Sequence, residues 1–348
     1  MKLFKSLLVA PATLGLLAPM SATANEVTIS DFNAAEEIAV TNSRVDGLEA
    51  RFNNLEAGSF SETTAASFGS TFYVGSVENS AIGEAVTFSY DFGMDLSTSF
   101  TGEDSLDVAI IGGDAGTTAV DAYMGGDGTD DVLTLDGVSY TFPLGGATVV
   151  VGDGVGVDDL NTGACAYSAF TDLISDCGAN NVGGSADSGF AIAYDFDNGF
   201  TLAGGAAGGT STDGLFTEES ADTLGIEAAY TADVYGVSVA YTDDEATTFW
   251  TVNAMLTPDG FPTISVGYET DDDDADAIFA GLTFEEVGPG SVSLGMASTD
   301  TSADDFYQYE LSYSYPLNDG MTITPGVFIA ETAGDDETGV VVTTSFSF

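Results

Sequence analysis

Histidine is absent from this 348-residue sequence, and only four residues are Lys or Arg. Without histidine there is no Ser-His-Asp triad, no HExxH zinc site and no imidazole proton shuttle. The two cysteines are too few for a Cys-rich zinc or iron–sulfur site. The 56 acidic residues bring the formal net charge to −52, which repels nucleic acid phosphates. We therefore expect a protein that is not an enzyme and that uses no cofactor, metal or nucleic-acid partner.

Long apolar runs are also scarce, and the clearest one lies near the N-terminus at residues 7–17. It follows Lys2 and Lys5 and precedes the small residues 22–24, which is the order of regions in a secretory signal peptide. We expect residues 1–24 to be removed during export. No later stretch approaches the roughly 20 apolar residues of a transmembrane helix, so a place in a membrane would require a closed β-barrel.

A heptad pattern predicts one helix, over residues 36–57. Its apolar residues have the a and d spacing of a coiled coil, with arginines at g positions and glutamates at e positions. The repeat Arg-apolar-x-x-apolar-Glu resembles a trimerisation motif of parallel three-stranded coils. The expected trimer contacts are Arg44, Val45, Leu48, Glu49, Arg51, Phe52, Leu55 and Glu56. The alternative is a solvated helix that lies on its own barrel.

From about residue 67 to residue 348 the apolar residues recur at every second position, which predicts β-strands. In residues 306–315, tyrosines and a leucine occupy one face, and Gln, Glu and Ser occupy the other. Across the predicted strands, the second face consists of Ser, Thr, Gly, Ala and occasional acids, small and polar as in a water-filled lumen. The pattern therefore predicts an all-β, transmembrane antiparallel β-barrel of about 16 strands, or about 14, preceded by the short coiled-coil helix. The expected domains are a signal peptide (1–24), a periplasmic coiled-coil segment (25–60) and a porin-type barrel (61–348).

The connections between the predicted strands alternate between two kinds. Tight turns with Gly, Asn, Asp or Pro are expected at 197–199, 233–236, 258–260, 288–290 and 318–320. Acid-rich loops lie between them, at 212–222, 243–245, 271–276, 299–305 and 334–338. Alternation of this kind puts tight turns at one rim and carboxylates at the other, as in an outer-membrane barrel.

The sequence resembles the cyanobacterial outer-membrane porins of the carbohydrate-selective (OprB-like) superfamily. The resemblance rests on residues 44–50 with 58–64, on 135–152 (LDGVSYTFPLGGATVVVG), on 309–348, and more weakly on 189–242. It implies a trimeric 16-strand porin in the outer membrane, with some relatives assigned to iron or other inorganic-ion uptake. Members usually carry an S-layer-homology domain before the coil, where this chain has only residues 25–35. Sugar-selective relatives use basic pore residues, and this sequence has none after Arg51.

Five acids are expected to point into the lumen, because they alternate with the apolar face of their strands: Asp107, Asp195, Glu227, Glu269 and Glu310. Acid side chains around a pore favour cations. Cys165 and Cys177 are expected to form a disulfide in an exported protein. The predicted function is passive diffusion of small hydrophilic solutes and cations through a homotrimer surrounded by outer-membrane lipid. The alternative is a trimeric surface adhesin or structural protein without a conducting pore.

Overall fold

The structure is a computed structural model that describes residues 64–114, 116–126, 128–174, 177, 188–208, 215–217, 221–272, 275–300 and 305–348. The predicted signal peptide and the predicted coiled-coil segment lie outside these residues. Within the part of the chain that is described, no helix has the length and apolar character needed to cross a membrane.

The described residues form sixteen β-strands, one short α-helix and one 3-10 helix (Asp172–Ile174). The first eight strands are β1 (Thr64–Glu78), β2 (Thr87–Thr98), β3 (Ser105–Gly113), β4 (Thr134–Leu144), β5 (Ala147–Asp153), β6 (Ser188–Asp195), β7 (Phe200–Gly208) and β8 (Asp222–Ala232). The second eight are β9 (Tyr235–Asp243), β10 (Thr248–Leu256), β11 (Thr263–Asp271), β12 (Asp276–Val287), β13 (Gly290–Asp300), β14 (Asp305–Asn318), β15 (Met321–Ala330) and β16 (Glu337–Ser347). The helix, α1 (Ala119–Met124), lies between β3 and β4.

Each strand pairs antiparallel with the next along the chain, and β1 pairs with β16 to close the barrel. At the closing seam, Gly69 is opposite Ser347. Phe68 and Phe348 exchange two backbone hydrogen bonds there, at 2.8 and 3.0 Å, and their rings stack with centroids 5.6 Å apart. Closure leaves no unpaired strand edge. The predicted all-β barrel and its strand number of about 16 are confirmed.

The alternation of side chains divides the barrel wall into two faces. On β6, Phe190, Ile192 and Tyr194 point outward and are 36–43% exposed, whereas the inward Ala191 is 1% exposed. The same outward apolar set continues around the wall, for example at Leu224, Val239, Trp250, Val266, Leu294, Tyr309 and Val340. A soluble protein buries side chains of this kind, so this apolar exterior is suited to contact with lipid.

The two rims carry different connections. At the rim where β16 ends, the connections range from two residues at 145–146 to six at 99–104. The predicted tight turns at 197–199, 233–236, 258–260, 288–290 and 318–320 all fall at this rim. At the opposite rim the chain leaves the sheet for its longest connections, which follow β1, β3, β5 and β7, and the connections between later strands are shorter. The predicted alternation between the rims is therefore present.

Helix α1 belongs to one of the long loops and packs inside the barrel. Thr118 caps it by accepting a hydrogen bond from the amide of Asp121, and Gly125 ends it at a φ of 62°. Val120 is 1% exposed in a cluster with Tyr73, Val77 and Val341 of the wall. The helix therefore fills the lumen beside β1 and β16.

Candidate functional site

The second segment inside the barrel comes from the long connection between β5 and β6. We call its described residues, 154–174 and 177, the inner loop. Val155, Val157, Ala164 and Cys177 are each at most 1% exposed, because the loop lies against the barrel wall. The inner loop is irregular, so its backbone N–H and C=O groups do not have the partners that a helix or a strand would supply. Where the loop is buried against the wall, these groups must find hydrogen-bond partners on the wall.

Glycines on the inward face of the wall make room for this loop. A Cβ atom at Gly326 would collide with the ring of Phe170, and one at Gly281 or Gly295 would collide with Tyr167. The wall glycines that face the inner loop are Gly189, Gly205, Gly225, Gly236, Gly267, Gly281, Gly295 and Gly326. The path of the loop is thus determined by where the strands lack side chains.

Glu310 on β14 holds the middle of the inner loop. Its Oε1 atom accepts hydrogen bonds from the Tyr167 hydroxyl and the Phe170 amide, both at 2.8 Å. Its Oε2 atom accepts from the amide and the hydroxyl of Thr171, at 2.9 and 2.7 Å. Glu310 is 4% exposed, so four donors replace the water that this carboxylate lost on burial.

Glu227 on β8 holds an earlier part of the same loop. Its Oε1 atom accepts from the amides of Thr162 at 2.7 Å and Gly163 at 3.2 Å, and its Oε2 atom is also 3.2 Å from the Gly163 amide. Ser265 on β11 accepts the amide of Ala166 at 2.9 Å. The inner loop is therefore fastened to the wall at three separate strands.

A disulfide stiffens the inner loop, and a phenol that stays protonated holds it to the wall. Cys165 and Cys177 form a disulfide with a Cα–Cα distance of 6.0 Å. Burial, together with the neighbouring carboxylate of Glu310, raises the pKa of Tyr167 far above its usual value. Its phenol therefore stays protonated and remains a donor over the whole physiological pH range.

Helix α1 is fixed to the wall in the same manner. Asp121 accepts a hydrogen bond from the hydroxyl of Ser89, and Tyr123 donates to Glu337 at 2.7 Å. A Cβ atom at Gly125 would lie 3.0 Å from the carboxyl carbon of Asp172, so α1 meets the inner loop there. Two segments thus narrow the lumen from different sides.

The five predicted lumen acids occupy three different environments. Glu227, Glu269 and Glu310 are 3–4% exposed, and Glu269 accepts a hydrogen bond from Thr251 at 3.2 Å. Glu227 and Glu310 lie between the wall and the inner loop. Asp107 is half-buried beside a cavity of about 410 Å³ that Asp95 also lines. Asp195 is exposed at the tight-turn rim, where it accepts the amide of Asp197 at 2.8 Å.

The remaining interior is lined by hydroxyl groups. A chamber of about 440 Å³ lies between the inner loop and strands β1 and β12–β16. Ser and Thr side chains dominate its lining: Thr71, Ser168, Thr283, Ser291, Ser293, Ser312, Ser314, Thr324, Thr343 and Ser345. Glu285 supplies the single acid of this lining. A chamber with such a lining is polar and can hold water.

Two features of this site were not expected from the sequence. The alternation of apolar and polar residues predicts that Glu227 and Glu310 point inward. It does not predict that these two side chains hold a loop. The wall glycines carried the missing signal, since they recur on the inward face along the path of the inner loop. Asp91 was also missed: it lies on the inward face of β2 and accepts a hydrogen bond from the Tyr73 hydroxyl.

Comparison with known proteins finds solved structures of similar fold. No protein-family model matches the sequence, and no curated protein sequence matches it. The Pseudomonas putida OprB structure at high pH is 12% identical, with a TM-score of 0.60 over 82% of this chain and 94% of that chain. A Rh. blastica porin mutant is 15% identical, with a TM-score of 0.62 over 82% of this chain and all of that one. The anion-selective porin from Comamonas acidovorans is 15% identical, with a TM-score of 0.60 over the same shares. The chain therefore has the barrel fold of bacterial porins.

Proposed function

We propose that this protein is an outer-membrane porin through which small hydrophilic solutes and inorganic ions diffuse passively, with a preference for cations. The observation that carries the proposal is a closed barrel, apolar outside and hydroxyl-lined inside, whose lumen is narrowed by a loop fastened to the wall. The similar solved structures are porins, and this agrees with the proposal.

The preference for cations follows from the distribution of charge. The sequence has no Lys or Arg after Arg51 and no His, so no side chain of the barrel offsets its carboxylates. Asp158 of the inner loop and Asp107 of β3 line cavities of the interior. A permeating anion would meet a repulsive potential along the path, whereas cations would be concentrated there.

The test is a reversal potential across a planar bilayer under a KCl gradient. We expect cation selectivity at low salt that weakens at high salt, because the Debye length falls from about 30 Å at 0.01 M to about 3 Å at 1 M. Anion selectivity, or none at low salt, would contradict the preference. An inserted protein that gives no conductance steps would favour the structural or adhesin role instead.

The outer-membrane location and the homotrimer are part of the same proposal. The apolar exterior supports contact with lipid, and the heptads of residues 36–57 support a parallel trimer. Membrane fractionation with unheated and heated gel samples tests both: a trimer in the outer-membrane fraction is expected. Changing Arg44 and Arg51 together to Glu should prevent a peptide of residues 36–57 from associating, and an unchanged trimer would refute the g–e pairing.

A further inference from the structure

A cavity lies between the inner loop and strands β8–β10. Its volume is about 320 Å³. Asp158 and Asn161 enter its lining from the loop, and Glu227 and Asn253 enter it from the wall. The inner loop and the barrel wall thus face each other here with oxygen-bearing side chains.

Two amide oxygens at this place have no hydrogen-bond partner in the protein. They are the Oδ1 atoms of Asn161 and Asn253, and both are buried. Asn253 is 8% exposed, so bulk water does not reach most of its side chain. A buried acceptor without a donor destabilises the fold, and native structures rarely keep one without a ligand or an ordered water.

The charge of the cavity is also unbalanced. Glu227 is 4% exposed, and its three short contacts come from only two backbone amides, which leave part of its oxygen lone pairs free. Asp158 adds a second carboxylate. The sequence has no basic residue after Arg51, so no side chain of the barrel compensates these charges, whereas a cation from solution can.

The donor atoms select the kind of cation. Carboxylate, amide carbonyl and hydroxyl oxygens are the ligands of Ca²⁺, which takes six to eight of them, about 2.3–2.6 Å away. Metals that require imidazole or thiolate find none, because histidine is absent and both cysteines are in the disulfide. The described residues contain no metal-binding group built from three or more His, Cys, Asp or Glu side chains, so amide oxygens are essential to this site.

A backbone oxygen lies next to the same group. A side chain at Gly267 would meet both the carbonyl oxygen of Cys177 and the Oδ1 atom of Asn253. The carbonyl oxygen of Cys177 is thus a further oxygen near the buried amide of Asn253.

We propose that this cavity binds a partly hydrated Ca²⁺ ion through Glu227, Asn253, Asn161 and Asp158. The ion bridges the inner loop and the barrel wall and neutralises their carboxylates. The site does not depend on ion passage, because a barrel that conducted nothing would have the same oxygens in the same cavity.

The test is equilibrium dialysis of the full-length protein in detergent with radioactive Ca²⁺. A background of about 0.5 M KCl screens the diffuse attraction of a highly acidic protein. Asn253→Leu removes the wall amide and keeps a side chain that is branched at Cγ. Gln308→Leu is the matched control, because Gln308 on β14 also has a buried Oε1 atom without a partner but does not line the cavity. Both substitutions leave the net charge unchanged.

We expect one saturable Ca²⁺ site in the wild type and in Gln308→Leu, and at least about tenfold weaker binding in Asn253→Leu. Asn253→Asp, which adds a carboxylate in the same place, should tighten binding about tenfold and keeps the test decisive if Asn253→Leu does not fold. The proposal is overturned if the wild type shows no saturable site, which would mean that water alone fills the cavity. It is equally overturned if the two Leu variants bind alike or if Asn253→Asp binds no more tightly than the wild type.

Discussion

The hydroxyl of Tyr167 donates a hydrogen bond of 2.8 Å to Oε1 of Glu310, and this bond joins the inner loop to strand β14. The same carboxylate accepts the amides of Phe170 and Thr171. One wall residue therefore determines where three loop residues lie. Since the loop lies inside the barrel, its attachment also determines how wide the lumen is.

Glu310→Gln should loosen the inner loop. The neutral amide keeps the size of the side chain but places an NH₂ group where one carboxylate oxygen accepted two hydrogen bonds. Hydrogen bonds to charged groups contribute about 1.5–3 kcal/mol each, so we expect a loss of about 3 kcal/mol in loop docking and noisier, larger single-channel conductance.

The matched control is Glu285→Gln, because Glu285 is an exposed acid that lines the hydroxyl chamber. Single-channel recordings and thermal unfolding check both variants. If Glu310→Gln and Glu285→Gln give the same open-channel noise, Glu310 does not hold the loop.

Gly326→Ala should displace the inner loop. The added Cβ atom would collide with the ring of Phe170, and overpacking of this kind costs about 1–3 kcal/mol. Gly93→Ala on β2 is the control, because a Cβ atom there has no neighbour within 4 Å. Thermal unfolding should show a lower midpoint for Gly326→Ala only, and equal midpoints would contradict the assigned path of the loop.

Neutralising acids that line the interior cavities should reduce cation selectivity at high salt. Asp107→Asn with Asp95→Asn removes two carboxylates that line the same interior cavity, and at about 1 M salt only groups within about 3 Å of an ion act on it strongly. Asp319→Asn together with Asp259→Asn, in tight turns at the rim, removes the same charge elsewhere. We expect a smaller reversal potential for the first pair, and the proposed selectivity fails if both pairs behave alike.

The turn between β2 and β3 should make stability depend on pH. Asp104 accepts hydrogen bonds from the Tyr140 hydroxyl at 2.6 Å and from the amides of Phe100 and Thr101 at 2.9 and 2.8 Å. The bond from Tyr140, followed by the bonds within the turn, holds the pKa of Asp104 well below its usual value. This stabilisation is complete above the unfolded pKa of about 3.9 and is lost as the pH falls toward the folded pKa.

Asp104→Asn should therefore lower stability at pH 7 and flatten its dependence on pH below about 4. Urea unfolding of both proteins between neutral and acidic pH measures the difference. Parallel pH profiles would show that Asp104 does not contribute.

Reduction of the disulfide should affect the inner loop and leave the barrel intact. Cys165 and Cys177 are 12 positions apart, and a bridge over such a short loop contributes about 3 kcal/mol by restricting the unfolded chain. The strand ladder from β1 to β16 does not depend on that bridge. Cys165→Ser with Cys177→Ser should keep the shift in gel mobility between unheated and heated samples but raise conductance noise. Loss of that shift would show that the barrel itself depends on the disulfide.

The sequence alone determined the strands and their faces. Apolar residues at every second position all lie on one face only in a β-strand, and the residues between them lie on the other face. Residues 306–315 show this most clearly. The alternation of tight and acid-rich connections predicted the two rims. The same period puts Glu227 and Glu310 on the inward face.

Only the tertiary structure decided what those carboxylates meet there. The inner loop has no apolar period, so its course depends on contacts between residues far apart in the chain, such as Tyr167 with Gly295 and Phe170 with Gly326. Glu310 is 139 and 140 positions from the amides that it accepts. Closure of the barrel brings these groups together, because it puts β14 opposite a loop that leaves the sheet after β5.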